Sequence, residues 1–115
     1  MDQQKLNEAL AFANYRLTLQ IQRQNIDATF HTALVLSHQG AIFKVSRELI
    51  SFTDAAIRSG LPVLVDDQTG NVVQIDDPQE FLKQCFETYN AAMQAKKLAQ
   101  QQLKSARSTA KIVGL

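Results

Sequence analysis

The 115-residue sequence predicts an α+β fold, in which two long antiparallel helices at about 3–38 and 78–108 are joined by a three-stranded sheet and a short helix. Three observations lead to this fold class. Residues 1–39 contain neither glycine nor proline, and a second run without either separates Pro78 from Gly114. Between these runs lie β-branched segments on both sides of a turn sequence.

The first long helix is predicted from composition and from one apolar row. Leu, Ala, Gln and Arg, which favour helix, dominate its sequence. Leu6, Leu10, Ala13 and Leu17 recur at steps of three and four residues, so they share one helix face. Residues 15–22, YRLTLQIQ, also alternate apolar and polar side chains, which is typical of a strand. A helix is preferred there because no turn signal interrupts the run, and the strand stays an alternative.

The end of this helix is predicted near residue 38. Phe30, Ala33 and Leu34 extend the apolar row, and Gly40 supplies a left-handed residue that can end a helix. The segment AIFKV that follows, residues 41–45, is predicted as a single short strand.

The middle of the chain predicts a short helix and a hairpin. The Ser46 hydroxyl can cap the helix RELISFTDAAIRS, and Gly60 is placed to stop it. The runs PVLV and NVVQI are then separated by DDQTG, in which Gly70 can take the positive φ that such a loop needs. Together with AIFKV, these two runs make the three-stranded sheet.

Two aspartate pairs, 66–67 and 76–77, could suggest a metal site or acid–base chemistry. The first pair lies in the hairpin loop, where aspartate bonds its own backbone. In the second pair, Asp77 precedes Pro78, and Glu80 follows three residues later, which is the pattern of a helix start with a capping box. Both pairs are therefore interpreted as structural.

The last helix carries a heptad repeat in which nine of ten residues are apolar, which favours a packed seam. One heptad position holds Leu82, Tyr89, Lys96, Leu103 and Ala110, and the other holds Cys85, Ala92, Ala99, Ala106 and Val113. The residues expected to bind a partner are Lys96, Ala99, Leu103, Ala106, Arg107, Ala110 and Val113.

Helix length predicts the shape of a single domain, 1–115. The two helices would be about 54 and 46 Å long at about 1.5 Å per residue, whereas a compact chain of this size has a radius of gyration of about 13 Å. They are therefore expected to form a stalk beyond an α/β head, residues 41–76, with a tail at 109–115 that frays. A two-helix stalk leaves apolar surface uncovered, so we expect a homo-oligomer or docking onto another protein.

Charge is unevenly distributed along the sequence. Residues 48–87 hold eight acids and two bases, a net charge of −6, whereas residues 88–115 hold five bases and no acid. A solvated helix face explains the basic segment most simply, and contact with nucleic acid or an acidic partner is the alternative. Nucleic-acid binding is not favoured, since the basic residues lack interleaved aromatics.

The residues that could carry chemistry are few. His31 and His38 are seven apart and would share a helix face, but two imidazoles make a poor metal site without a third ligand. Cys85 lies at a heptad position and is expected to be a core residue. No glycine-rich phosphate loop or membrane-length apolar run is present, and the N-terminal residues are not expected to act as a signal peptide. We therefore expect a non-enzymatic protein with no metal, cofactor, small-molecule substrate or membrane contact.

Four segments carry a resemblance to a known family. LNEALAFANYRLTLQIQRQNIDATF, HQGAIFKVSRELISF, VLVDDQTGNVVQIDD and KSARSTAKIVGL resemble a small protein family encoded by contractile-tailed (myovirus) bacteriophages of marine bacteria. Arg47 stands before ELISF, where members of that family often have proline. The resemblance implies a virion or assembly protein in the host cytoplasm or the virion, whose partners are other phage proteins, and it carries over no catalytic residue.

Overall fold

The computed structural model describes residues 2–112, with side chains as far as residue 106. Its contacts divide the chain into two compact units. Unit 1 comprises residues 2–29 and 96–112 of the described part, and unit 2 comprises residues 30–95. The elements in chain order are α1 (Gln3–Ala33), β1 (Val35–His38), β2 (Ala41–Lys44), α2 (Arg47–Ser59), β3 (Leu64–Asp66), β4 (Val72–Gln74) and α3 (Pro78–Ile112).

The α+β class is confirmed by three helices and four strands. The two predicted long helices are present, but their end residues differ from the prediction. α1 is continuous through YRLTLQIQ, so the strand alternative for residues 15–22 is wrong. It ends at Ala33 and not near 38, whereas α3 continues to Ile112 and not only to 108. In unit 1 the two helices run antiparallel, because Asp27 pairs with Lys96 while the earlier Arg23 shares a groove with the later Lys104.

The residues just after α1 form a hairpin that the sequence did not predict. β1 pairs with β2 in antiparallel register, with Leu36 opposite Phe43. The turn consists of Gln39 and Gly40, whose φ angles are 51° and 73°. Positive φ at both central residues is what a type I′ turn, a common two-residue hairpin turn, requires, so Gly40 closes a hairpin and does not cap a helix.

The predicted three-stranded sheet is therefore wrong, because the structure has two separate two-stranded sheets. AIFKV pairs with the preceding VLSH, which is the nearest segment in sequence and needs only a two-residue turn. The two hairpins are joined by the Gln39 side chain, which donates to the Gln74 carbonyl at 3.1 Å and accepts from the Asp76 N–H at 2.7 Å. The Gln68 N–H also donates to the Ile42 carbonyl at 2.7 Å.

The hairpin of β3 and β4 and both predicted helix starts are confirmed. Val65 lies opposite Val73, and Gly70 takes a φ of 88° in the loop. Ser46 Oγ accepts from the Leu49 N–H at 3.0 Å, and Asp77 Oδ1 accepts from the Glu80 N–H at 3.2 Å. Each cap satisfies a backbone donor that the first turn of a helix leaves unpaired.

The hydrophobic core lies in unit 2, between the two hairpins, α2 and the first turns of α3. Phe43 of β2 and Phe81 of α3 are fully buried and meet edge to face with ring centroids 5.2 Å apart. Thr53 is buried as well, and its hydroxyl donates to the Leu49 carbonyl at 2.7 Å. The buried hydrophobic residues are Leu34, Phe43, Val45, Ala56, Val63, Val65, Ile75, Phe81, Cys85 and Ala92.

Candidate functional site

One aspartate of each acidic pair, Asp67 and Asp77, has the structural role that the sequence predicts. Asp67 Oδ1 accepts from the Thr69 hydroxyl at 2.7 Å and from the N–H groups of Thr69 and Asn71, each at 2.9 Å. These bonds, the Thr69 hydroxyl first, lower the pKa of Asp67 below its usual value of 3.8. Within residues 2–112, no three His, Cys, Asp or Glu side chains converge in a way that could hold a metal ion.

The two histidines are not on one helix face, because α1 ends between them. His31 lies in the last turn of α1 beside the Phe30 ring, at 5.5 Å between centroids. His38 lies on β1, with its Nδ1 2.8 Å from Gln84 Oε1 and its ring 5.1 Å from Phe81. The expectation that they share a helix face is therefore wrong: His31 is exposed beside Phe30, whereas His38 is half-buried against Phe81.

Cys85 is fully buried in the core of unit 2 and forms no disulfide. Burial raises the pKa of its thiol to about 11, because the low-dielectric surroundings penalise the thiolate. A nucleophilic cysteine requires the opposite shift, so this thiol has the properties of a small core residue.

Arg47, the first residue of α2, contacts α3. Its Nε–H donates to the Tyr89 hydroxyl at 2.7 Å, and its guanidinium lies 5.5 Å from the centre of the Tyr89 ring. The Tyr89 ring in turn meets Phe30 edge to face at 6.1 Å. The arginine therefore links the start of α2 to α3, a contact that proline could not make.

The seven residues expected to bind a partner differ in their surroundings. The Lys96 ammonium pairs with Asp27 of α1 at 3.1 Å, and Leu103 is half-buried beside Ile26 in the groove between α1 and α3. Ala99 is also half-buried, whereas Ala106 is exposed. Their binding to a partner stays a prediction. Of the other three, Arg107 and Ala110 lie beyond the described side chains, and Val113 lies outside the described residues.

The α1 helix has two apolar rows on opposite sides. The inner row, defined as Tyr15, Leu19 and Ile26, is half-buried, and Ile26 lines the groove against α3. The outer row, defined as Leu6, Leu10, Leu17 and Ile21, is 39–55% exposed. At about 100° per residue, the centres of the two rows are about 170° apart around the helix. A single neighbouring helix can cover only one of them.

Unit 1 consequently has no core of its own within the described part of the chain. Neither residues 2–29 nor residues 96–106 include a buried side chain, and α1 has none along its whole length of 31 residues. Isolated helices are marginal in water, and most helices in proteins are stabilised by packing of an apolar face. The outer row is therefore the strongest candidate for a functional surface in this molecule.

Unit 2 also has an apolar groove on its surface. The groove has a volume of about 670 Å³ and lies between α2 and α3. Ile50, Ile57, Leu82 and the half-exposed Phe86 form its apolar lining. Asp54, Lys83 and Glu87 lie at the same groove, so it combines an apolar floor with charges of both signs.

Comparison with protein-family models, with curated proteins and with solved structures gives no match to this chain. Among the residues that the structure describes, none of the helices combines the length and the apolar character that crossing a membrane requires.

Proposed function

We propose that this protein is a non-enzymatic assembly protein that works through helix-mediated oligomerisation and protein–protein contacts. The observation that carries the proposal is a 31-residue helix with two apolar rows and no buried side chain. Unit 2, by contrast, buries ten hydrophobic residues without any partner. The part of the chain that needs another protein is therefore unit 1.

The energy available from covering the outer row is of the same order as the cost of association. Burying a whole Leu or Ile side chain contributes about 1.5–3 kcal/mol, so covering the exposed half of each outer-row side chain contributes about 1 kcal/mol. In a symmetric dimer the row is covered twice, for a total of about 8 kcal/mol. This total is comparable to the estimated cost of association, about 4–15 kcal/mol, so we expect a reversible, concentration-dependent oligomer.

The biological setting of the proposal comes from the family resemblance. We propose that the assembly belongs to a contractile-tailed phage, as a virion component or a factor used while the particle is built. Its partners would be copies of itself or other phage proteins, in the host cytoplasm or the virion. The proposal includes no cofactor, no small-molecule substrate and no membrane.

A charge placed in the outer row tests the proposal. Leu17 is 55% exposed, so Leu17→Asp should leave the monomer folded while placing a carboxylate where the proposal buries an apolar side chain. We expect the dissociation constant to rise at least about tenfold, which corresponds to about 1.4 kcal/mol. Sedimentation equilibrium gives the constant, and circular dichroism checks the helix content.

The matched control is Thr18→Asp, which adds the same charge one residue later, on the side of α1 between the two rows. Thr18 is exposed, and its hydroxyl bonds only within the helix, to the Asn14 carbonyl at 2.9 Å. This variant should associate like the unmodified chain. Equal association of both variants and the unmodified chain would show that the outer row is not the assembly surface.

A second candidate function is favoured by the charge distribution. The net charge of −6 in residues 48–87 would suit a small phage regulator that binds a basic surface of a transcription or replication protein. A nucleic-acid-binding accessory factor, using the basic segment after residue 88, is a weaker version of the same idea. Mass spectrometry of purified particles identifies a virion component, which is present there at a fixed copy number, whereas a regulator and a factor used only during assembly are both absent. Oligomerisation through the outer row then separates an assembly factor from a regulator.

A further inference from the structure

The outer row has a spacing that reads the same in both directions along α1. Leu6 and Leu10 are four residues apart, Leu10 and Leu17 are seven apart, and Leu17 and Ile21 are four apart. Steps of four and seven return to the same helix face. A second copy of α1 running in the opposite direction therefore presents side chains at matching heights.

The charges of α1 are absent from this face. The helix has five charged side chains besides its histidine, and all lie about 90° or more from the centre of the outer row at about 100° per residue. These five are Lys5, Glu8, Arg16, Arg23 and Asp27. The positions beside the row are occupied mainly by uncharged amides, at Asn7, Asn14, Gln20, Gln24 and Asn25.

The most favourable partner for this uncharged face is another uncharged, apolar face. A charged partner would lose hydration against this row without gaining an ion pair, and that loss is unfavourable. A second copy of this chain offers an equally uncharged, apolar face, so neither like charges nor unpaired charges are brought together. Antiparallel pairing also sets opposite ends of the two helix dipoles beside each other.

Resting on the proposed function, we infer that two copies of this chain associate through an antiparallel, two-fold symmetric contact of their α1 outer rows. Leu6 of one copy lies against Ile21 of the other, and Leu10 lies against Leu17. A two-fold contact of this kind uses the same surface on both copies and closes on itself. Ile26 of the inner row stays against α3 within each copy, on the side of α1 away from the contact, so the contact sets the four helices in the order α3, α1, α1, α3.

The area of the contact limits its strength. A standard stable interface uses roughly 20–30 residues on each side. One face of α1 between residues 3 and 24 offers fewer, since only about three in seven helix positions point to one side. The dimer is therefore reversible, and the measurement must be made over a range of protein concentrations.

Disulfide trapping tests both the surface and the direction. Two single variants, Leu6→Cys and Ile21→Cys, are mixed and oxidised in air with a copper catalyst. Core positions of paired helices lie close enough for a disulfide to form, so the expected major product is the mixed dimer that links residue 6 to residue 21. The native Cys85 is buried, and the unmodified chain should give no cross-linked product under these conditions.

The other outcomes are distinguishable from this one. Disulfides only between identical variants would show parallel pairing and overturn the inference. Absence of cross-linked product, with an oligomeric mass for the unmodified chain, would overturn the inference and leave the proposed function standing. A mass of 12.8 kDa at every concentration would overturn both. Circular dichroism of each variant confirms that the helix is intact, because both positions are already 39–46% exposed in the single chain.

Discussion

Unit 2 and unit 1 have similar fractions of apolar residues, 31 of 66 and 21 of 49, yet among the described side chains only those of unit 2 are buried. Between Leu34 and Ala92 the chain has ten buried hydrophobic residues, several of them inaccessible to solvent. Among the side chains described at 2–29 and 96–106, none is buried. The core of unit 2 is surrounded on several sides by strands, a short helix and the start of α3. In unit 1, each of the two helices faces the other with one side only.

The α3 helix shows the same difference within one element. Its heptad repeat is regular through both units, but Cys85 and Ala92 are buried in unit 2 whereas Ala99 is half-buried and Ala106 exposed in unit 1. A repeat specifies which side chains share a face, and it does not specify how much protein covers that face. A regular heptad repeat therefore does not ensure that the side chains on its face are buried in a core.

The largest expected loss of stability comes from a substitution in the core of unit 2. Phe81→Ala removes a fully buried ring that packs against Phe43, so it should lower the free energy of unfolding by about 3–5 kcal/mol. Urea unfolding followed by circular dichroism gives the change. The helical signal of the variant should be lost at a clearly lower urea concentration.

Phe86→Ala is the matched control, since it makes the same substitution on the same helix. Its ring is 54% exposed in the groove of unit 2, so the expected loss is about 1 kcal/mol or less. Similar losses for the two variants would contradict the distinction between a buried core at Phe81 and an open groove at Phe86.

A smaller change in stability is expected when the pH is lowered, through Asp67 in the loop between β3 and β4. The pKa of Asp67 is lowered in the folded state by the bonds that its carboxylate accepts, chiefly from the Thr69 hydroxyl. Its stabilising contribution is therefore present above the unfolded value of 3.8 and is lost as pH falls through the lower folded value. Thermal unfolding between pH 6 and about pH 2 should show a drop that Asp67→Asn reduces. Identical pH profiles would contradict this role.

Much of the fold could be predicted because local chemistry specifies it. Ser46, Gly60 and Asp77 act at helix ends through their own side chain or backbone freedom, and the structure confirms each one. The sequence does not predict the first hairpin, because Gln39–Gly40 follows a helical pattern, in which the glycine indicates a helix stop. The available sequence signal was that only two residues separate VLSH from AIFK. In the structure the side chains of both segments alternate in burial.

The candidate surface could be predicted only in part. Leu6, Leu10 and Leu17 were recognised as one row, but the periodicity could not show that they face outward. The inner row of Tyr15, Leu19 and Ile26 was not predicted, because only the row that begins at Leu6 was followed. Its steps of four and seven residues were the available signal.

The central claim is that unit 2 is stabilised by its own core, whereas the part of α1 in unit 1 gains further stability from a second chain. Hydrogen–deuterium exchange at high and low protein concentration tests it directly, since exchange reports local opening. On dilution, peptides from residues 3–29 should exchange faster, whereas peptides from residues 34–92 should not change. Equal protection of α1 at every concentration would contradict the claim.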